Sequence, residues 1–76
     1  MNSNDLESEV IAIVKGVTKS NSVDKKTSQN DIPQWDSLAY MSILSEVEAK
    51  YQIEITQQNI QKFDSITSII EVINAK

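Results

Sequence analysis

Gly16 and Pro33 are the only glycine and the only proline in this chain of 76 residues, and this scarcity constrains the fold more than any other feature. Hairpins and sandwiches need frequent turns built on Gly, Pro, Asn and Asp. The sequence therefore favours a few helices joined by polar loops. It also contains no Cys and no His, which excludes disulfides and the usual zinc sites as sources of stability. We expect one domain, residues 1–76, held together by helix packing alone.

The first apolar-periodic segment predicts a helix from about Asn4 to Lys15. Ser3 or Asn4 is available to cap its start, because a side-chain oxygen there accepts a backbone N–H that lacks a helical partner. Gly16 follows, and we interpret it as the left-handed residue that ends the helix. The apolar positions of this helix are Leu6, Val10, Ile13 and Val14.

The last segment of the chain carries apolar residues at i, i+3, i+4 and i+7, the pattern of a helix with one buried stripe. Asp64 or Ser65 is the expected N-cap. The high isoleucine content would also suit a strand, but no other segment offers a strand to pair with, so we predict a helix. The stripe consists of Ile66, Ile69, Ile70 and Ile73.

A polar stretch from Thr18 to Gln34 separates the first helix from the second and is long for a connection in a small domain. Val23 and Ile32 are isolated apolar residues within it, and we expect them to pin the loop to the core. The second helix is predicted from Ser37 to Lys50, with Asp36 as its N-cap. Its expected buried stripe is Met41, Leu44, Val47 and Tyr51.

A short third helix is expected after an extended link over residues 52–55. Thr56, with Asn59 three residues later, can cap a helix that buries Ile60 and reaches Phe63. The sequence therefore predicts an all-α fold, a four-helix bundle with a long loop between helices 1 and 2 and a short helix 3.

Ser37 is the residue for which a chemical role can be argued. It combines a helix N-terminus, a preceding carboxylate in Asp36, an apolar follower in Leu38 and a long approach loop. Backbone N–H groups and the helix dipole at such a place stabilise a phosphate ester by about 0.3–1 kcal/mol. Without a histidine to activate it, Ser37 cannot be a triad nucleophile, and it would be the substrate of another enzyme. A plainer interpretation, in which Asp36 and Ser37 only begin a helix, fits the same residues.

The motif Trp35-Asp36-Ser37-Leu38, in this helical framework, resembles the phosphopantetheine attachment site of acyl carrier proteins. The resemblance covers nearly the whole chain and implies the four-helix carrier-protein bundle. The other matching positions are Gly16-Val17, Val23, Glu46-Val47-Glu48, Tyr51, Ile53-Glu54-Ile55 and Ile66 to Ile73.

The resemblance implies that a phosphopantetheinyl transferase moves a 4′-phosphopantetheine arm from coenzyme A onto Ser37. Asp36 would assist the transferase through its magnesium ion, and Leu38 would contact the transferase and later partners. The thiol of the arm would hold an acyl group as a thioester for acyl-loading and acyl-transferring enzymes. The protein itself would then be neither an enzyme nor a metal-binding protein. Further expected partner contacts are Trp35, Ala39, Glu46, Glu48 and Glu54.

Two departures from the carriers of fatty-acid synthesis narrow this expectation. Those carriers place acidic residues just after the motif, where this chain has Ala39 and Ser42. Trp35 is similar instead to discrete carriers of specialised pathways, which show Gly-Trp-Asp-Ser-Leu, although Gln34 stands in place of that glycine. We therefore expect a discrete carrier of a polyketide, modified-lipid or polysaccharide pathway. The plainer interpretation of Trp35 is a loop aromatic packed against the start of helix 2.

Two alternatives stay open from the sequence. A peptidyl or aminoacyl carrier, charged by an adenylating enzyme, would have the same fold and the same attachment serine. A small helical interaction module would never receive the arm, and its Ser37 would only begin a helix. Modification by coenzyme A and a transferase separates the module from both kinds of carrier.

The charge of the chain argues against nucleic acid as a partner. A net charge of −4 and a pI near 4.5 argue against nucleic acid, because nucleic acid binds clustered Lys and Arg.

No apolar stretch has the length of a membrane span. We see no signal peptide at the N-terminus, and the absence of Cys fits a reducing compartment, so we expect a cytoplasmic monomer.

Overall fold

Three α-helices and two short 3-10 turns make up the fold, which a computed structural model describes for the backbone of residues 3–75 and the side chains of residues 5–75. An isolated antiparallel bridge joins Ser28 to Ser65, and no strand occurs within the described residues. Helix α1 packs against both other α-helices. The predicted all-α fold is confirmed. The helices are α1 (Ser3–Thr18), α2 (Ser37–Tyr51) and α3 (Ile66–Asn74), and the 3-10 turns are Gln29–Asp31 and Ile60–Lys62.

Helix α1 runs past Gly16, so the prediction that this glycine ends the helix is wrong. The left-handed residue is Lys19, with φ 58°, and Gly16 has no positive φ. The last turn forms because Thr18 is buried and its hydroxyl donates a hydrogen bond of 2.7 Å to the Val14 carbonyl. The cap predicted at Ser3 or Asn4 lies outside the described side chains.

Helix α2 buries a different face from the one that the sequence suggested. Met41 is 53% exposed, whereas Ile43 is fully buried and Ala39 is 6% exposed, so the predicted stripe is wrong at Met41. The helix carries apolar residues on more than one side, and periodicity alone therefore does not determine which side faces the core. The buried residues of α2 are Ala39, Ile43, Leu44 and Val47.

The segment between α2 and α3 forms a turn and a 3-10 turn, where the sequence predicted a short third helix. The Thr56 N–H donates to the Asn59 side chain over 2.8 Å, so Asn59 rather than Thr56 provides the side-chain oxygen. Phe63 is fully buried, as predicted. Ile60 is 37% exposed, and the prediction that it is buried is wrong.

The long loop is attached to the core and to the start of α3. Val23 and Ile32 are 5% and 8% exposed, which confirms them as apolar anchors. Two backbone hydrogen bonds join the loop to the first residue of α3 and to the segment just before it. Ile66 N–H donates to the Thr27 carbonyl at 3.1 Å, and Gln29 N–H donates to the Asp64 carbonyl at 2.7 Å. The loop therefore has a defined path, although it has little regular structure.

Helix α3 begins where the sequence placed it. The Ser65 hydroxyl accepts a hydrogen bond from the Ser68 N–H at 3.1 Å, so Ser65 is the N-cap of the two candidates, Asp64 and Ser65. Ile70 is only partly buried, and Val72 takes a place in the core that the predicted stripe did not include. No helix within the described residues has the length and apolar character that a membrane span requires. The buried residues of α3 are Ile66, Ile69, Val72 and Ile73.

Candidate functional site

The buried side chains of Ile32 and Trp35 hold the loop in place directly before Ser37. The Trp35 N–H donates to the Ile32 carbonyl over 3.2 Å, which closes a turn with the exposed Pro33 and Gln34 at its tip. Trp35 is 2% exposed, and its indole N–H finds no acceptor within the described residues. An unpaired buried N–H costs about 1–3 kcal/mol, which the burial of so large a ring offsets. The chain therefore enters α2 from a fixed point.

Asp36 caps α2, as the sequence predicted. Its carboxylate accepts a hydrogen bond from the Ala39 N–H at 2.9 Å, and its carbonyl accepts one from the Tyr40 N–H at 2.8 Å. The backbone N–H groups of Ser37 and Leu38 come before those of Ala39 and Tyr40 in the first turn, and the helix offers them no acceptor. The start of α2 therefore presents two free N–H groups beside the serine.

Ser37 is the first residue of α2 and is exposed, and no described residue makes a hydrogen bond to its hydroxyl. Leu38 is 80% exposed, although leucine is usually buried. The local arrangement combines a reachable hydroxyl, two free N–H groups and the positive end of the helix dipole. It suits a phosphate ester on Ser37.

Two residues expected to contact partners lie in the core. Trp35 and Ala39 are 2% and 6% exposed, so neither side chain offers a surface to another protein. This corrects the expectation of partner contact for both residues. For Trp35 the burial agrees with the plainer interpretation, an aromatic that packs at the start of helix 2.

The three glutamates expected to contact partners are exposed but lie away from Ser37. Glu46 is nine residues further along α2, which at a rise of 1.5 Å per residue is about 14 Å. Glu48 lies one half-turn beyond it, and Glu54 follows the end of the helix. Between Ser37 and Ser45 the helix carries no charge. The structure therefore does not bring these carboxylates to the serine.

Tyr40 is a residue near the site that the sequence reasoning missed. Its hydroxyl donates to the Ile60 carbonyl and accepts a hydrogen bond of 3.3 Å from the Phe63 N–H. Burial raises the pKa of the Tyr40 phenol, and the charge of Asp64 adds to this effect, while the hydrogen bond to the Phe63 backbone opposes it. One feature of the sequence could have identified Tyr40: it is a tyrosine one turn after the serine, in a helix with apolar residues on several sides.

The described part of the chain contains no group of three or more Asp, Glu, His or Cys residues placed to hold a metal ion. Asp36, the carboxylate expected to assist a transferase through its magnesium ion, directly precedes Ser37.

Comparison with known proteins gives one informative match. The solution structure of a holo acyl carrier protein from Geobacter metallireducens superimposes with a TM-score of 0.78. The match covers 93% of this chain and 84% of that chain, at 26% sequence identity. No protein-family profile and no curated protein sequence matches the chain. The chain therefore has the fold of a carrier protein and not that of an enzyme.

Proposed function

We propose that this protein is an acyl carrier protein of the discrete type, with a 4′-phosphopantetheine arm on Ser37. A phosphopantetheinyl transferase would form the phosphodiester between the Ser37 hydroxyl and the arm and release adenosine 3′,5′-bisphosphate from coenzyme A. Once attached, the arm supplies a thiol that holds an acyl group as a thioester. The chain itself presents the arm and raises the effective concentration of its cargo at each partner enzyme.

The observation that carries the proposal is the position of Ser37. Its hydroxyl is exposed at the first residue of α2, beside two free N–H groups, in a fold that matches a holo acyl carrier protein over 93% of the chain. The exposed Leu38 next to Ser37 would contact the transferase.

The partners would be enzymes of a specialised biosynthetic pathway in the cytoplasm. Support for this comes from the uncharged stretch Ser37 to Ser45, because enzymes that read a continuous acidic helix would find no carboxylate there. Glu46, Glu48 and Glu54 would contact partners that extend further along the molecule. Loading of the modified protein by an acyltransferase or by an adenylating enzyme separates an acyl carrier from a peptidyl carrier.

The proposal is tested by intact mass after incubation with coenzyme A, Mg²⁺ and a broad-specificity phosphopantetheinyl transferase. The parent is expected to gain one phosphopantetheine. Ser37→Ala is expected to gain nothing, because no other hydroxyl occupies the start of α2. Ser45→Ala is the matched control, since it removes an exposed serine two turns further along the same helix and is expected to gain one arm.

The outcomes separate the candidate functions. Gain of an arm by Ser37→Ala would show that Ser37 is not the attachment site. Failure of the parent with several transferases would overturn the carrier function and leave a helical interaction module.

A further inference from the structure

One buried polar group next to the proposed site has no hydrogen-bond partner within the described residues. Trp35 is 2% exposed, and its indole N–H is that group. Thr18, Ser20 and Thr27 are also buried, but the hydroxyl of each takes part in a hydrogen bond with the backbone. The unpaired indole N–H needs an explanation, because native proteins rarely bury a donor without an acceptor.

The packing of Trp35 explains its ring but not its N–H. The ring belongs to a mostly aliphatic core to which all three helices contribute. A phenylalanine would bury a large aromatic surface at this place without an unpaired donor. The N–H therefore requires an acceptor that the described residues do not supply.

The proposed function brings a molecule close to this donor. Trp35 precedes Ser37 by two residues, at the start of α2. A cargo held on the arm of Ser37 stays tethered to the chain, so its effective concentration beside the core is high. Among molecules outside the chain, the cargo therefore has the readiest access to the indole.

The surroundings of the indole define the chemistry of the acceptor. It has to be neutral, because burial of a charge in an aliphatic core costs far more than one hydrogen bond returns. A keto oxygen accepts a hydrogen bond and brings no donor of its own, whereas a hydroxyl or an amide would bury a second group in need of a partner. An acyl chain with a keto group meets both requirements, and the rest of the chain is apolar enough to enter between helices.

We infer that Trp35 is a specificity-determining residue of this carrier, and that its indole N–H donates a hydrogen bond to a keto oxygen of the acyl chain when the chain enters the helical core. This inference rests on the proposed function, because the cargo is held on Ser37. It assigns the cargo to the class of ketoacyl chains rather than saturated ones.

The hydrogen bond is tested by the magnetic resonance signal of the indole N–H. Trp35 is the single tryptophan of the chain, so a proton–nitrogen correlation spectrum contains one such signal. The transferase loads Ser37 from coenzyme A and from hexanoyl-, β-ketohexanoyl- and δ-ketohexanoyl-coenzyme A, and intact mass verifies each form. The two keto chains carry the oxygen at different depths. In at least one keto form the indole proton is expected to move downfield of its position in the hexanoyl form and to exchange with solvent about tenfold more slowly.

The stability of the loaded forms gives a second measurement. In the parent, the unfolding equilibrium constant of that keto form is expected to be about tenfold lower than that of the hexanoyl form, through one added hydrogen bond. Trp35→Phe keeps an aromatic ring and removes the donor, so the difference should disappear. Phe63→Leu is the matched control, because it shortens a second fully buried aromatic side chain and leaves Trp35 in place. It should destabilise both loaded forms and keep the difference between them.

The results distinguish this inference from the proposed function. If the parent receives no arm from any transferase, the proposed function fails. If the parent is loaded but its indole signal is the same in the hexanoyl form and in both keto forms, the carrier function stands and the role of Trp35 is overturned.

Two other results would also overturn the role of Trp35. A signal that moves when the arm alone is attached, and stays there in every loaded form, would mean that the donor serves the arm. A cross-peak to water that persists in all forms would mean that an internal water is the partner of the indole N–H. Circular dichroism detects a loss of folding in either variant, and the indole signal of the parent tests the inference without them.

Discussion

Asp36 has two separable roles, as the N-cap of α2 and as the charge beside Ser37. As a cap it accepts the Ala39 N–H at 2.9 Å, which a neutral amide oxygen does equally well. As a charge it would serve the transferase through the magnesium ion. The first role is seen in the structure and the second belongs to the proposed function, and a pair of substitutions tests the second.

Asp36→Asn is expected to keep most of the stability and to slow arm transfer strongly. Asparagine caps a helix about as well as aspartate, and only the dipole interaction of the charge, about 0.3–1 kcal/mol, is lost. Asp36→Ala should also lower the free energy of unfolding by about 1 kcal/mol through loss of the cap. Urea unfolding and transfer rates measured side by side check both. Equal transfer rates for the parent and Asp36→Asn would mean that Asp36 is a cap and nothing more.

Helix α1 shows why one residue type cannot locate a helix end. Glycine tolerates the left-handed conformation that ends many helices, yet here Lys19 adopts it with φ 58° while Gly16 stays helical. The buried Thr18 decides the matter, because its side chain packs in the core only if the helix continues to that point. Gly16 is therefore an interior position of α1, where glycine lowers the stability of the helix relative to alanine.

Gly16→Ala is expected to raise the free energy of unfolding by about 0.5–1 kcal/mol. A Cβ on Gly16 would meet no atom within 4 Å outside the local helix backbone, and φ there is not positive, so alanine fits without strain. Thermal unfolding followed by circular dichroism should show a midpoint several degrees higher. Ala12→Gly, at an exposed position in the same helix, should lower it by a similar amount. A destabilised Gly16→Ala would mean that the helix needs glycine at this place.

The segment of residues 56–63 contains no α-helix. It has one 3-10 turn, Ile60–Lys62, and its attachments are the buried Phe63 and the hydroxyl of Tyr40. Asn59 and the β-branched Thr56 and Ile60 have weaker helical preferences than alanine or leucine. Tertiary contacts therefore decide its shape.

At the scale of the whole molecule, α1 and α2 are joined at one end by a polar cluster around Glu9. The Tyr51 hydroxyl donates to a Glu9 carboxylate oxygen over 2.7 Å, and the Lys50 ammonium lies 3.8 Å from the same oxygen. Burial raises the pKa of Tyr51 well above its ordinary value, and the hydrogen bond to Glu9 adds to the rise. Because of this cluster, the free energy of unfolding is expected to depend on pH in the alkaline range.

Stability is expected to fall as the pH rises above about 10, where tyrosine ordinarily ionises. The unfolded chain then loses the Tyr51 proton while the folded chain keeps it, so unfolding gains from proton release. Below that pH the contribution is fully present and constant. Urea unfolding from pH 8 to pH 11 should show a shallower alkaline loss for Tyr51→Phe than for the parent. Parallel curves for the two proteins would show that Tyr51 contributes nothing to the alkaline loss.

The fold of this chain was predictable in its main features, and so was the position in the fold of three residues of the proposed site. Asp36, Ser37 and Leu38 lie where the motif placed them, at the capped start of α2. A local signal existed for each, since caps and helix starts depend on neighbouring residues. Trp35 and Ala39 were assigned to a surface and are buried, because burial depends on the packing of other segments around them.

The sequence by itself determined an all-α domain, the cap Asp36, a cap at Asp64 or Ser65, the loop anchors Val23 and Ile32, and the serine that starts α2. These follow from periodicity and from interactions between residues close in the chain. Only the tertiary structure decided which face of α2 is buried, how far α1 extends, and that Tyr40 reaches Ile60 and Phe63. Those outcomes arise from contacts between residues far apart in sequence, and in a helix apolar on several sides the neighbouring segments select the buried face.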